Sequence, residues 1–310
     1  MSELGTQAVG GKRNGRPYGV PGKRLCTATF ADCGENNSGP GSEQIGTMGG
    51  AEMAHSVSEL KAMCDTLVAH GVDACVHEFD ALAKGKVPAG LPSMPEAAVL
   101  IVKRHDWLVT ADAVASIEKD LWKTPIDTMA MHGRGANRAL RNKNARHNNV
   151  LTDAATRPPS IASKEDYAEG KGSVVDLQTI PELAALRTRL AALVKRALPV
   201  VENNFYYELG SKCGIGWHGD AERRITVLQR FGEASKEMPL KFQWFYNFKA
   251  TGPIFQFRLE SGDIAIMSQL ANGKCWMDPP RARWTMRHAT GKSHSKPKDP
   301  INAGVHVRVN

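Results

Sequence analysis

Residues 203–232 read NNFYYELGSKCGIGWHGDAERRITVLQRFG, and the fold turns on how this stretch is parsed. Two runs, NNFYYELG and RRITVLQRFG, alternate with period two, and a shorter one, GIGWH, lies between glycine turns. That period is the mark of strands with one covered face. His218 and Asp220 close the middle run. A strand aims residues i and i+2 to the same side, so this pair offers two ligands to one metal ion. The plainer alternative is a turn in which Asp220 caps a loop and His218 is half-buried.

Downstream, LKFQWFYNF, IFQFRLESGDIAIMS and HVRVN continue the short strands, separated by turn residues. Upstream the period is helical. IPELAALRTRLAALVKRAL has Pro181 early and Leu183, Leu186, Leu190 and Leu193 on one face. TADAVASIEKDLWK reads as an amphipathic helix capped by Thr110 or Asp112, and AAVLIVKRH before it as a strand. HSVSELKAMCDTLVAHG reads as a helix starting at Ser56 or Ser58 and ending at Gly71, and DACVHEFDALAKG as a second short one. Helices first and antiparallel strands later define an α+β chain with a sandwich or jelly roll. Residues 1–52 are rich in Gly, Ser, Asn and Pro and lack either period, so a disordered arm is expected there. Residues 53–96 form a small helical extension, ending in KVPAGLPSMPE, and the main domain spans 97–310.

Charged residues make up 23% of the 310 and apolar ones 42%, ordinary for a soluble domain. No apolar run reaches the roughly 18 residues of a membrane helix, and no secretory pattern opens the chain, so an intracellular soluble protein is expected. Six scattered cysteines without a CxxC pair argue against a disulfide scaffold or a zinc knuckle. The net charge of +8 favours anionic partners, nucleic acid first.

The stretch from Asn204 and Tyr207 through Gly210, Ile215, Gly216, His218, Asp220, Glu222 and Arg223 resembles the AlkB-like branch of the Fe(II)/2-oxoglutarate dioxygenases. LESGDIAIMS, with Gly262, Asp263 and Met267, is similar to a later strand of that family, WTMRHATG supplies His288, and HVRVN looks like its Arg-x-Asn. The resemblance runs from about residue 97 to 310, with NARHNNVLTD where the family has its substrate lid. It implies a double-stranded β-helix (jelly-roll) core with supporting helices and an N-terminal extension. It also implies iron(II) held by two histidines and one carboxylate, with 2-oxoglutarate and O2 as co-substrates. His288 is the expected third ligand, because the extended run ARWTMRH can aim its ring inward; His294 lies in a polar loop and His306 beside Arg308.

The resemblance gives Arg308 the distal carboxylate of 2-oxoglutarate, with hydrogen bonds from Tyr207 and Asn310. The family continues to a second arginine that this sequence does not show, so either the chain is truncated or another residue does that work. The resemblance also puts Glu222 and Arg223 at the target base. Arg134, Arg138, Arg141, Lys143 and Arg146 form a basic run suited to phosphates. Trp217, Trp244, Phe245 and Tyr246 are candidates for stacking on a flipped base, although strand aromatics are more often core. The implied activity is oxidative demethylation of an alkylated or methylated base in DNA or RNA: a hydroxylated N-methyl group collapses and releases formaldehyde. The rivals are a hydroxylase of a small molecule, peptide or lipid, and a non-catalytic nucleic-acid- or protein-binding module.

Overall fold

The strands of the computed structural model are, in chain order, Leu25–Ala31 (β1), Cys33–Glu35 (β2), Gln44–Gly46 (β3), Ala74–Glu78 (β4), Ala98–Val102 (β5), Met129–His132 (β6), Ala139–Asn142 (β7), His147–Thr152 (β8) and Val174–Asp176 (β9). They continue with Val200–Tyr206 (β10), Gly214–His218 (β11), Val227–Phe231 (β12), Leu240–Tyr246 (β13), Lys249–Phe257 (β14), Ile264–Met267 (β15), Trp284–Gly291 (β16) and His306–Val309 (β17). The α-helices are Val57–Ala69 (α1), Phe79–Ala83 (α2), Ala111–Leu121 (α3), Pro181–Val194 (α4) and Gln269–Asn272 (α5). The structure describes residues 24–35, 44–132, 139–142, 146–153, 156, 174–207, 209, 213–276, 278, 283–291 and 306–309, with backbone alone over 129–132, 139–142 and 306–309.

Eight strands form one sheet in the order β4–β5–β15–β12–β1–β10–β8–β9, and five form a second in the order β11–β16–β13–β14–β17. Period-two alternation sorts the larger sheet's side chains. Cys26, Ala28 and Phe30 of β1, Leu100 and Val102 of β5, Val227 and Phe231 of β12 and Ile264 and Ile266 of β15 join one core. Leu60, Met63 and Leu67 of α1, Ile117 of α3 and Leu186 and Leu190 of α4 complete it. Val99 and Ile101 of β5, Leu228 of β12 and Ala265 and Met267 of β15 face the other way. They meet Phe242 and Trp244 of β13, Phe255 and Phe257 of β14 and Met286 of β16. The layers are therefore helices, large sheet, small sheet, an α+β arrangement made mostly of strands.

The expected helices α1, α3 and α4 are present. Ser56 accepts from Glu59 N while Glu59 reaches back to Ser56 N, a reciprocal capping box, and Thr110 accepts from Ala113 N to start α3. Other expectations are corrected. Residues 25–31, placed in a disordered arm, form a fully buried strand in the middle of the large sheet, between β12 and β10. Thr27 and Thr29 interrupt the apolar pattern because they face a polar cavity rather than the core. Residues 74–78, expected as helix, pair with β5 as an edge strand, and only Phe79–Ala83 is helical. So segment 53–96 adds a strand to the same sheet and is no separate extension. His147–Thr152, expected at a lid, is a buried strand paired with β10. Its polar look comes from Asn149, whose amide donates to Thr124 Oγ1 (2.7 Å) and Pro125 O (2.8 Å) and whose carbonyl accepts from Asn203 (2.9 Å). Residues 1–23 and 36–43 of the expected arm lie outside the described residues.

Candidate functional site

β11 and β16 pair antiparallel at the edge of the small sheet, with His218 directly opposite His288. Their rings stand 4.4 Å apart between centroids. Asp220, just past the end of β11, closes a triangle: its Oδ1 is 3.7 Å from His218 Nε2 and 3.4 Å from His288 Nε2. The ligand atoms of these three residues lie within 4.8 Å of one another, so the group can hold a metal ion. Strand pairing thus unites residues 70 positions apart in the sequence.

The chain reaches this geometry because Gly219 carries no side chain. A Cβ there would sit 2.1 Å from Gly273 O. Gly273 itself has φ +76°, a conformation that glycine adopts without strain, and it closes α5 against the His-Gly-Asp loop. The close approach lets Asp220 N donate to Asn272 O (2.9 Å), while the Asn272 amide donates to Arg223 O (2.9 Å).

The surroundings set the ligands' protonation. His218 Nδ1 lies 2.7 Å from Gly216 O and His288 Nδ1 3.4 Å from Ala271 O. Carbonyls only accept, so each Nδ1 presents its proton there and both Nε2 atoms are left facing Asp220, the side from which a metal would be bound. Burial, reinforced by His288, lowers the His218 pKa to about 4, so its ring is neutral at pH 7. Burial works against the Asp220 carboxylate, but His288 and Arg223 outweigh it and hold its pKa well below the usual carboxylate range. Thr226 Oγ1 donates to Asp220 Oδ2 (2.9 Å), leaving Oδ1 toward the imidazoles. Two imidazoles and one carboxylate, each with its second polar atom anchored, fit a divalent transition metal.

The triad opens into a cavity of about 200 Å³ between the sheets. At one side Arg223, 3% exposed, pairs with Glu202 and Glu222 and lies 3.8 Å from Asp220 Oδ2. Burial pushes the Glu222 pKa up, and Asp220 and Glu202 add to that while Arg223 opposes it. Arg230, fully buried on β12, lines the same cavity. Its guanidinium donates to Thr27 Oγ1 (2.9 Å), Thr290 Oγ1 (2.9 Å) and Met238 O (3.2 Å), and its Nε has no partner. Among the described residues no carboxylate pairs with it, and burial lowers its pKa. This cation was absent from the sequence-based assignment. Its one signal was a charged residue at an inward position of an apolar strand, ITVLQRF.

The other expected residues divide. Glu222 and Arg223 line the cavity, as does Arg146, whose Nε donates to Asn204 Oδ1 (2.5 Å). Tyr207 does not: it packs on Trp122 and His147 with ring centroids 5.1 and 4.6 Å away, and Tyr206 lines the cavity in its place. The two are neighbours at a strand end, and a shift of one residue exchanges faces. Arg308 lies on β17, at the opposite edge of the small sheet from β11 and three strands from His288. His306 shares that strand. Arg141 lies on β7, a hairpin with β6 apart from both large sheets. Asn310, Lys143, Arg134, Arg138, Gly210 and His294 lie outside the described residues. Of the candidate stacking aromatics, Trp244 is core, donating to Phe79 O (3.2 Å), and Phe245 lies under the Arg287 guanidinium at 4.1 Å. Tyr246 packs on Trp284 and Trp217 on Phe245, and none of the four lines the cavity.

No family model matches the chain, and no solved structure matches it. It is similar to "Uncharacterized protein R156" of Acanthamoeba polyphaga mimivirus, 29% identical over 272 residues, which cover 87% of this chain and 96% of that protein. No helix among the described residues is long and apolar enough to cross a membrane.

Proposed function

We propose that the protein is an AlkB-like Fe(II)/2-oxoglutarate-dependent dioxygenase built on a double-stranded β-helix, acting on an alkylated or methylated base in DNA or RNA. One observation carries the reading: a His-Asp-His triad and a buried arginine with no carboxylate partner among the described residues share one small cavity. A dicarboxylate co-substrate has that bipolar demand, one end for the metal and a distant carboxylate for a guanidinium.

His218, Asp220 and His288 would hold the iron. Bound there, iron(II) supplies the oxygen activation that couples conversion of 2-oxoglutarate into succinate and carbon dioxide to hydroxylation of the substrate. Arg230 takes the role first assigned to Arg308, orienting the distal carboxylate, with the Thr27 and Thr290 hydroxyls holding the guanidinium in place. Tyr206 replaces Tyr207 on the cavity wall. Glu202, Glu222, Arg223 and Arg146 remain for the substrate, whose polar edge they would orient. The net charge of +8 supports nucleic acid as the partner. A second reading keeps the chemistry but changes the substrate to a small molecule. The small cavity, with Glu35, Glu202 and Glu222 on its wall, favours it.

The deciding experiment incubates the protein with iron(II), 2-oxoglutarate, ascorbate and mixed methylated oligonucleotides, beside His218→Ala. Mass spectrometry should show succinate together with demethylated oligonucleotide, and neither with His218→Ala. Succinate without any change in the oligonucleotides would shift the assignment to the small-molecule reading. Wild-type succinate equal to that of His218→Ala would sink the dioxygenase.

A further inference from the structure

The hairpin between β13 and β14 turns through two residues, Asn247 and Phe248, both in the left-handed region (φ +48° and +66°). A two-residue turn of this type suits asparagine followed by glycine, because a bulky side chain there crowds its own backbone. Asn247 fits. Phe248 is strained, and burial does not offset the strain, because Phe248 is 42% exposed. An aromatic ring is thus held out in water, at the tip of a small-sheet hairpin, where glycine would be the more stable residue.

A cation stands beside that ring. Arg287 precedes the ligand His288 on β16, and alternation puts it on the opposite face of the small sheet. Its guanidinium carbon lies 4.1 Å from the Phe245 ring centroid, 5.1 Å from that of Trp276 and 5.7 Å from that of Phe248. Arg287 is only half-buried, and among the described residues no carboxylate pairs with it. Stacking on rings holds a guanidinium in place and leaves its outer donors for an anion. Lys249, next to Phe248, is exposed as well.

This cluster adjoins the triad from the far side of the sheet. Trp217, the residue before His218, packs on Phe245 with centroids 6.1 Å apart. Trp276 lies in the turn after α5, and Lys274 of the same turn donates to Ala221 O (3.0 Å), in the loop that carries Asp220. The cavity at the triad, about 200 Å³, is smaller than pockets that enclose a whole drug-sized ligand. A nucleic-acid substrate would therefore leave the nucleotides that flank the reacting base outside it. A single strand offers both partners that the cluster lacks, a phosphate for the guanidinium and the face of an unpaired base for the ring. A duplex hides its base faces, and an acidic protein segment would use the cation but not the strained ring.

We propose that the outer face of the small sheet docks a single-stranded nucleic acid, with Phe248 stacked on an unpaired base and Arg287 on the adjoining phosphate. This mode presupposes the nucleic-acid substrate proposed above and specifies how the flanking nucleotides are held.

Fluorescence anisotropy of a labelled oligothymidylate of about 12 nucleotides, titrated with the full-length protein, tests it. The strand should bind more tightly than a duplex of the same length, and less tightly as salt rises. Phe248→Gly, which suits the turn, should melt at a higher temperature than the wild type yet bind about tenfold more weakly. Phe248→Trp should keep the wild-type affinity. Arg287→Gln should weaken binding about tenfold and reduce the salt slope by about one. Undiminished binding in both Phe248→Gly and Arg287→Gln would overturn the docking face and leave the nucleic-acid reading standing. Phe248→Trp binding as weakly as Phe248→Gly, or a preference for duplex, would overturn it too. No binding by the wild type would overturn both. Binding that depends on both residues, without demethylation, would uphold the docking face and remove the activity.

Discussion

Two arginines, Arg223 and Arg230, are buried in the wall of one cavity and live under opposite conditions. Burial disfavours the charge of both. Around Arg223, Glu202, Glu222 and Asp220 outweigh that and hold its pKa well above the ordinary arginine value. Around Arg230 there are two threonine hydroxyls and a carbonyl, and its pKa falls. Removing one partner of a buried ion pair strands the other charge, whereas removing an unpaired buried charge relieves a desolvation cost. Arg223 therefore belongs to the framework of the metal loop, and Arg230 is a cation held ready for something else.

The largest effect is expected where the framework meets the metal. Asp220→Ala should lower affinity for cobalt(II), followed by its visible absorption, by about a hundredfold or more, because it removes one of three ligands and the only charged one. Wild-type affinity in that variant would sever the triad from any metal. Next, Glu202→Ala should destabilise the protein by about 3 kcal/mol in urea unfolding, because it removes one of the two carboxylates paired with the buried Arg223 guanidinium and leaves Glu222 as its partner. A third buried group extends the contrast: the His55 ring has no hydrogen-bond partner among the described residues. Its folded pKa of about 4 lies below the unfolded value near 6.5. Its contribution is fully present above pH 6.5 and is lost as pH falls toward 4. The wild type should therefore lose on the order of 3 kcal/mol more than His55→Phe across that window. Parallel stability curves would place the unfavourable burial elsewhere. The smallest effect on stability is expected at Arg230. Arg230→Met should unfold within about 1 kcal/mol of the wild type, or later, while 2-oxoglutarate binding to the metal-loaded protein falls about a hundredfold. A variant as unstable as Glu202→Ala would show that Arg230 is framework after all.

The same contrast explains what was legible in the sequence. His218 and His288 are legible because both lie on alternating strands that pair with one another; Asp220 lies past the end of β11 and is placed by the close approach of Gly219 to Gly273. Helices α1, α3 and α4 were found because capping and the 3.6-residue period are local signals. What escaped was set by partners far away in the chain. Leu25–Ala31 is buried on both faces, by helices on one and the cavity on the other, so Thr27 and Thr29 disguised a central strand. His147–Thr152 reads as a loop because it is polar, and its Asn149 is satisfied inside the sheet by Asn203, Thr124 and Pro125, all distant in the chain. Tyr207 was preferred to Tyr206 because motif spacing does not report on which side of the sheet a residue falls.

By itself, then, the sequence determined the period of the long helices and of most strands after residue 200, and set His218 two residues from Asp220, all governed by residues within one or two turns of each other. Only the tertiary structure decided that β1 lies between β12 and β10, that α5 packs against Gly219, and that Arg230 shares the cavity with the triad. Those outcomes depend on strand order and on which groups it brings beside Arg230, and neither is written in any short stretch of chain.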